Sequence, residues 1–203
     1  MARVEFFYDY SSPWTYLAFT RIEELCRRYD AELVWKPILV GGIFNTVNPS
    51  VYESRERPVP AKARYLWKDL HDWMRHQNVT MKFPPSVFPV NSVKALRGAL
   101  FAIERDCIGP YSARVFQAYF GEDRDISRDE VLRPIVEAVG LDPEAFFAAI
   151  ATQPFKDRIR ANTDECVERG GFGSPTMFVD GDDMYFGNDR LVLVEAALGR
   201  PSR

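Results

Sequence analysis

Residues 4–14, VEFFYDYSSPW, decide the fold, because they join a short apolar strand to the start of a helix. Residues 4–8 are rich in β-branched and aromatic side chains, which is typical of a buried strand. Ser12 is suited to the N-cap of a helix, and Pro13 to the first helical position. We therefore predict a strand over 4–8 and a helix from about Pro13 to Tyr29.

The two ends of the chain predict sheet-forming units. Residues 32–39 (ELVWKPIL) follow the first helix and indicate a second strand, which completes a β-α-β unit. Near the other end, residues 176–179 (TMFV), a turn at 180–181 and residues 184–186 predict a β-hairpin. A last helix is expected over 188–198, with Pro201 beyond its end.

The middle of the chain predicts helices. Residues 41–60 are rich in Gly, Asn, Ser and Pro and indicate a loop. Residues 61–169 carry apolar side chains at helical spacing, of which Leu66, Leu70 and Trp73 form the first stripe. We expect one domain from residues 1–40 and 170–203, which includes the 41–60 loop, and a helical insertion over 61–169.

The composition excludes several classes of protein. Lys and Arg number 26 and Asp and Glu number 29 in 203 residues, a net charge of -3 that argues against nucleic-acid and anionic membrane partners. No apolar run approaches the ~20 residues of a membrane span, and residues 1–10 do not resemble a secretory signal. Three cysteines without a C-x-x-C pair indicate reduced thiols. We expect a cytoplasmic protein.

The turn at Ser11 and Ser12 is the first candidate site. Unpaired N–H groups and the positive end of the helix dipole lie at such a helix start, where a thiolate, phosphate or carboxylate is stabilised. A cysteine pair is absent, but a serine hydroxyl can donate a hydrogen bond to the thiolate of a bound ligand. The alternative is that both serines only cap the helix.

Two further turns precede and follow the predicted hairpin. Ser174 stands before Pro175, and a cis bond there would aim the serine backbone at a ligand, whereas a trans bond would simply start a strand. Gly187, Asn188 and Asp189 precede the last helix, where they either cap it or hold the ammonium group of a ligand.

Weaker signals accompany these turns. Lys62 lies at a helix start, where a cation is unfavourable against the dipole; this hints at an anion partner, and the alternative, which is the more common one, is a solvated lysine. Asn91 is either a pocket wall or a cap for the next helix. His71 and His76 are five residues apart and have no Cys or acidic pair to complete a site, so we predict no metal.

Together these turns resemble a known family. The order β-α-β, helical insertion, β-β-α is that of the thioredoxin-like fold (class α/β) with a large all-helical insertion of the DsbA type. The motifs YDYSSPW, PAKARYLWKDL, FPVNS, FGSPTMFVDG and GNDRLVLVEAALGR resemble the 2-hydroxychromene-2-carboxylate isomerase family, which is related to kappa-class glutathione transferases. This resemblance covers nearly all 203 residues.

The resemblance implies a glutathione-dependent isomerase of aromatic catabolism, whose catalytic residue Ser11 holds the glutathione thiolate. The thiolate adds reversibly to a conjugated carbon of a small aromatic substrate, the ring opens, a bond rotates, and elimination gives the trans product. The residues that the resemblance assigns to glutathione, besides Ser11, are Asn48, Lys62, Ser174, Gly187, Asn188 and Asp189. Trp14 and Asn91 are assigned to the substrate, and a homodimer is expected.

Two departures from the family concern the substrate side. Residues 41–48 lack the lysine that members active on the chromene acid tend to carry, and Val87 or Phe88 stands where an aromatic hydroxyl is expected. Three alternatives therefore remain open: a kappa-like glutathione transferase or peroxidase, a DsbA-type dithiol oxidoreductase, which the missing C-x-x-C opposes, and a non-catalytic binding domain.

Overall fold

A four-stranded mixed sheet organises the computed structural model, which describes residues 1–200. Its strands are β1 (Arg3–Tyr8), β2 (Glu32–Pro37), β3 (Thr176–Val179) and β4 (Asp183–Phe186), in the order β2-β1-β3-β4. β1 runs parallel to β2 and antiparallel to β3, and β4 is antiparallel to β3. The predicted β-α-β and β-β-α units are both present, and they meet where β1 pairs with β3.

Helices make up most of the remaining chain. In order they are α1 (Pro13–Arg28), α2 (Val40–Thr46), α3 (Ser50–Glu56), α4 (Pro60–Gln77), α5 (Val93–Ile103), α6 (Ile108–Phe116), α7 (Asp129–Ala138), α8 (Pro143–Ala151), α9 (Gln153–Glu168) and α10 (Leu191–Leu198). A π-helical turn (Gln117–Gly121) extends α6, and a 3-10 turn (Asn188–Arg190) precedes α10. Helices therefore fill the predicted insertion, while the division into domains stays a prediction.

Strand β1 lies at the centre of the molecule because apolar side chains cover both of its faces. Phe6 and Tyr8 belong to the main hydrophobic core, whereas Phe7, on the other face, packs with Phe178 in a smaller cluster. Each buried aromatic side chain of this kind contributes about 1.5–3 kcal/mol. The strand is thereby fixed, and so is the residue that follows it, Asp9.

Helix α1 begins as the sequence predicts. Ser12 is its N-cap and accepts a hydrogen bond from the N–H of Thr15 at 3.2 Å, and Pro13 follows as the first helical residue. The helix ends at Arg28, one residue earlier than expected, with two arginines in the last turn where they favour the helix dipole. The positive end of α1 consequently lies beside the carboxyl end of β1.

The prediction of a loop over 41–60 is wrong, because α2 and α3 occupy most of it. Gly41 and Gly42 have low helix propensity, but the fold supplies hydrogen-bond partners that the local sequence lacks. The N–H of Leu39 donates to the hydroxyl of Thr163, and the N–H of Val40 donates to the carboxylate of Asp9. Tertiary contacts thus cap a helix that composition alone does not predict.

Two smaller expectations are also corrected. Leu66 does not share the burial of Leu70, since it is 55% exposed where α4 borders a cavity. The last helix begins at Leu191, not at Asn188, because the 3-10 turn comes first. Pro201 lies outside the described residues, as does the end of the predicted domain at 203.

Candidate functional site

A cavity of about 1630 Å³ lies beside the start of α1, and the segments 39–63 and 83–93 and the turn before β3 complete its lining. Pockets for one small ligand are usually about 300–1000 Å³, so this cavity can hold more than one. The predicted site residues that line it are Ser11, Trp14, Asn48, Lys62, Asn91 and Ser174.

The start of α1 presents unused hydrogen-bond donors to this cavity. The N–H of Trp14 has no hydrogen-bond partner within residues 1–200. The hydroxyl of Ser11 lies beside the carboxylate of Asp9 and, like the backbone N–H of Ser11, lowers the pKa of that group. No acidic residue stands in the first turn to neutralise the positive end of the helix dipole. An anion placed here would therefore find free donors and a favourable electrostatic potential.

Ser174 joins the start of α1 to the turn before β3. Its hydroxyl accepts from the N–H of Asp9 at 2.9 Å and is 2.7 Å from the hydroxyl of Thr15. Its carbonyl accepts from the hydroxyl of Ser12 at 3.0 Å. The Ser174–Pro175 peptide bond is cis, and the N–H of Ser174 has no acceptor in the described part of the chain. This buried serine therefore offers a further backbone donor to a ligand.

Asp9 is a site residue that the sequence analysis missed. It is 2% exposed, and its carboxylate accepts from the N–H of Ser11 at 2.9 Å, the N–H of Val40 at 3.0 Å and the hydroxyl of Ser92 at 2.7 Å. Burial raises the pKa of this carboxyl, and the hydrogen bonds oppose that rise. The sequence feature that could have indicated Asp9 is an acidic residue directly after a predicted buried strand. One carboxylate thus connects the starts of α1, α2 and α5.

Asn48 lies at the rim of the cavity, where protein groups engage its side chain. Its amide nitrogen donates to the carbonyl of Phe172 at 3.0 Å, and its amide oxygen accepts from the hydroxyl of Ser50. The ring of Phe172 lies 4.4 Å from that of Phe186, and a Cβ on Gly173 would come within 2.7 Å of Phe186. Any larger residue at position 173 would therefore have to displace the ring of Phe186.

Lys62 and Asn91 border the cavity from two other segments. Lys62 is exposed in the first turn of α4 and forms no ion pair with any described residue. The side-chain oxygen of Asn91 accepts from the N–H of Val93 at 3.1 Å, and the residue also lines the cavity. Asn91 thus lies in the wall of the cavity, whereas the N-cap of α5 is its neighbour Ser92.

The turn before α10 does not contribute to the cavity lining. Gly187 has φ +101° and donates its N–H to the carbonyl of Pro175 at 3.0 Å. Asn188 is buried with its side-chain nitrogen unpartnered, and Asp189 pairs with Arg190 at 2.6 Å. Any role of these residues in binding remains a prediction.

The wall formed by α2, α3 and the 83–91 loop carries aromatic rings and one cation that the sequence analysis did not select. Phe44 and Phe88 line the cavity, and the guanidinium carbon of Arg55 lies 5.9 Å from the centroid of each ring. Phe83 packs edge-on against Phe88 at 5.1 Å. In the sequence these aromatic residues alternate with Pro, Asn and Arg, without the periodicity of a helix or a strand, so the pattern did not indicate a site.

The protein's own thiols lie elsewhere. Cys26 and Cys166 are buried and Cys107 is half-buried, and none of the three lines the cavity. Burial raises the pKa of Cys26 to about 11 and that of Cys166 to about 12. A thiolate at the start of α1 would therefore have to come from a ligand.

Neither a metal site nor a membrane-spanning helix is present within residues 1–200. No group of three or more His, Cys, Asp or Glu side chains has an arrangement suited to a metal ion. Within the same residues, no helix combines the length and apolar character that crossing a membrane demands.

Comparison with known proteins identifies the family. The profile of the DSBA-like thioredoxin domain matches residues 3–199. A 2-hydroxychromene-2-carboxylate isomerase of Pseudomonas putida is 30% identical over 98% of this chain and 96% of its own. Human glutathione S-transferase kappa 1 is 28% identical over 97% of this chain and 90% of its own. A solved structure of a 2-hydroxychromene-2-carboxylate isomerase superposes with TM-score 0.82 at 30% identity, covering 98% of this chain and 95% of that one. The chain therefore belongs to the 2-hydroxychromene-2-carboxylate isomerase family, within the DsbA-like thioredoxin fold.

Proposed function

We propose that this protein is a glutathione-dependent isomerase acting on 2-hydroxychromene-2-carboxylate or a similar intermediate of aromatic catabolism. The supporting observation is the set of donors around the start of α1, which comprises the unpaired N–H groups of Trp14 and Ser174 and the cavity-lining hydroxyl of Ser11. A sulfur anion is what such donors stabilise, and no cysteine of the chain lies there to supply one.

The residues present fit glutathione in three respects. Ser11 would donate its hydroxyl to the sulfur, and the free N–H of Ser174 would pair with the cysteinyl carbonyl of the tripeptide. Lys62, exposed and without an ion pair in the described chain, would attract a carboxylate of the tripeptide. The cavity volume leaves room for a small aromatic substrate beside it.

Glutathione, when bound, supplies a thiol nucleophile that adds reversibly to a conjugated carbon of the substrate and is eliminated after bond rotation. The chain's contribution is to keep the sulfur ionised. Ser11 and the positive end of α1 favour the charged form, and each unit by which they lower its pKa corresponds to about 1.4 kcal/mol. Asp9 fixes the Ser11 backbone, which orients the hydroxyl.

The test compares two neighbouring serines. Ser11→Ala removes a hydroxyl that does not cap the helix, so we expect near-normal stability, a higher pKa for bound glutathione and at least tenfold slower isomerisation, about 1.4 kcal/mol. Ser12→Ala removes the N-cap instead, and should cost about 1 kcal/mol of stability with a smaller effect on the thiol.

The measurements are calorimetric titration with reduced glutathione, ultraviolet titration of the bound thiolate, and conversion of 2-hydroxychromene-2-carboxylate. Absence of glutathione binding to the unmodified protein would refute the proposal. An unchanged thiol pKa in Ser11→Ala would refute the role of that hydroxyl.

A kappa-type glutathione transferase is the second candidate, favoured by the human relative at 28% identity. The same donors would serve it, with an external electrophile in place of the chromene acid. Turnover of a chlorodinitrobenzene without turnover of the chromene acid would select this function. The homodimer and the cytoplasmic location remain predictions, and sedimentation equilibrium tests the first.

A further inference from the structure

Arg55 differs from the other cations around the cavity in what surrounds it. It stands in the last turn of α3, and its guanidinium carbon is 5.9 Å from the ring centroids of both Phe44 and Phe88. These three side chains line the cavity together. Within residues 1–200, Arg55 has no carboxylate partner, although Glu53 and Glu56 belong to the same helix.

The two rings contact the guanidinium through their faces and leave its hydrogen-bonding groups unused. An aromatic face attracts a cation through its quadrupole, which is worth about 0.5–1 kcal/mol at exposed sites. The N–H groups at the edge of the guanidinium plane stay available, in a fork that matches a carboxylate. Arg57 and Lys62 also line the cavity but have no comparable ring contact.

The rings also provide a surface for a flat apolar molecule. Phe44 meets Tyr52 edge-on with centroids 6.1 Å apart, and Phe83 meets Phe88 edge-on at 5.1 Å. Phe88 is 38% exposed although it is large and apolar. Covering such surface with a planar ring removes apolar area from water, at roughly 25 cal/mol per Å².

We propose that Arg55 determines specificity by binding the carboxylate of an aromatic acid whose ring lies against Phe44 and Phe88. The substrate of the proposed function already carries such a ring and carboxylate, and the new assignment is that Arg55 recognises the carboxylate and discriminates against the corresponding neutral ring compound. The assignment of this molecule as the substrate rests on the proposed function. The binding site itself is testable without glutathione.

The experiment measures calorimetric binding of chromone-2-carboxylate and of neutral chromone to the full chain without glutathione. The unmodified protein should bind the acid at least tenfold more tightly than the neutral compound. Arg55→Gln should weaken binding of the acid by about tenfold to a hundredfold, as expected for a charged hydrogen-bonded pair, and leave neutral chromone unaffected. The affinity of Arg55→Lys for the acid should lie between those of the unmodified protein and Arg55→Gln, because lysine keeps the charge but lacks the planar fork of N–H donors.

Arg64→Gln is the matched control, since Arg64 is an exposed arginine of α4 outside the cavity lining. It should bind the acid like the unmodified protein. In turnover of the chromene acid, Arg55→Gln should raise KM by a similar factor and change kcat less than threefold, which a structural defect would not produce.

Equal binding of acid and neutral compound by the unmodified protein would overturn the inference, as would an equal loss of acid binding in Arg55→Gln and Arg64→Gln. Neither result affects the proposed function, which depends on glutathione binding near Ser11. Failure to bind glutathione, with the preference for the acid retained, would refute the proposed function and leave the role of Arg55 in place.

Discussion

The two walls of the cavity are held in place by different means. Around Ser11, buried groups from distant parts of the chain bond to one another: Asp9 to Ser92, and Ser174 to Asp9 and Thr15. The wall of α3 and α4 is instead exposed along most of its length, with Leu66 55% exposed. Substitutions around Ser11 should therefore change both the stability and the activity of the protein. Substitutions in α3 and α4 should change ligand binding with little loss of stability.

Asp9→Asn should have the largest effect of the substitutions considered for these walls. An amide has one acceptor oxygen, so if it keeps the bonds from Ser11 and Ser92, its nitrogen faces the N–H of Val40. We expect a loss of about 1–3 kcal/mol in the free energy of unfolding, measured in urea. Asp164→Asn, at an exposed position without a described partner, should be neutral.

The pH dependence of this loss has a definite sign. Because burial raises the pKa of Asp9 in the folded state, its contribution is complete below the unfolded pKa of about 3.9 and is lost as pH rises through the folded value. The difference in the free energy of unfolding between the unmodified protein and Asp9→Asn should therefore narrow as pH rises above about 4. If the difference in stability instead widens as pH rises, the pKa of Asp9 is lowered in the folded state.

Ser92→Ala removes one of the three donors to Asp9 and should have an intermediate effect. We expect about 1 kcal/mol of lost stability, a further rise in the pKa of Asp9, and weaker glutathione binding. Ser112→Ala is the control, since that buried hydroxyl bonds to Tyr10 at 2.8 Å, away from the cavity lining. It should lose similar stability and bind glutathione normally; equal weakening in both would argue against a local role for Ser92.

Lys62→Ala tests the exposed wall. The side chain forms no ion pair in the described chain, so stability should stay within about 0.5 kcal/mol. Affinity for glutathione should fall by about twofold to fivefold, and the difference should shrink in high salt. Lys156→Ala on α9 should change neither quantity. A large loss of stability in Lys62→Ala would show that the exposed wall contributes to the fold as the wall around Ser11 does.

The smallest effect is expected at the cysteines, which belong to neither wall. At pH 8 the buried thiols of Cys26 and Cys166 should not react with Ellman's reagent in the native protein, because burial raises their pKa values to about 11 and 12. All three thiols should react after unfolding. Rapid native labelling that also blocks glutathione binding would place a protein sulfur in the site.

The extent to which the sequence predicts these features depends on how local their causes are. The strand at 4–8, the N-cap at Ser12 and the hairpin at 176–186 follow from neighbouring residues, and the structure confirms them. Helix α2 does not follow from neighbouring residues, because the acceptor for its first N–H is Asp9, 31 positions away. The ring contacts of Arg55 likewise depend on residues brought together only by folding.

The carboxylate of Asp9 links two elements that border the cavity, the start of α1 and the start of α2. One oxygen holds the amide of Ser11 and the other holds the amide of Val40 at the start of α2. A molecule that displaced α2 would break the bond from Val40 and leave one oxygen of this buried carboxylate without its donor, beside the oxygen that holds Ser11. Binding that displaces α2 would then alter affinity at the start of α1, and by thermodynamic reciprocity the effect would be equal in both directions.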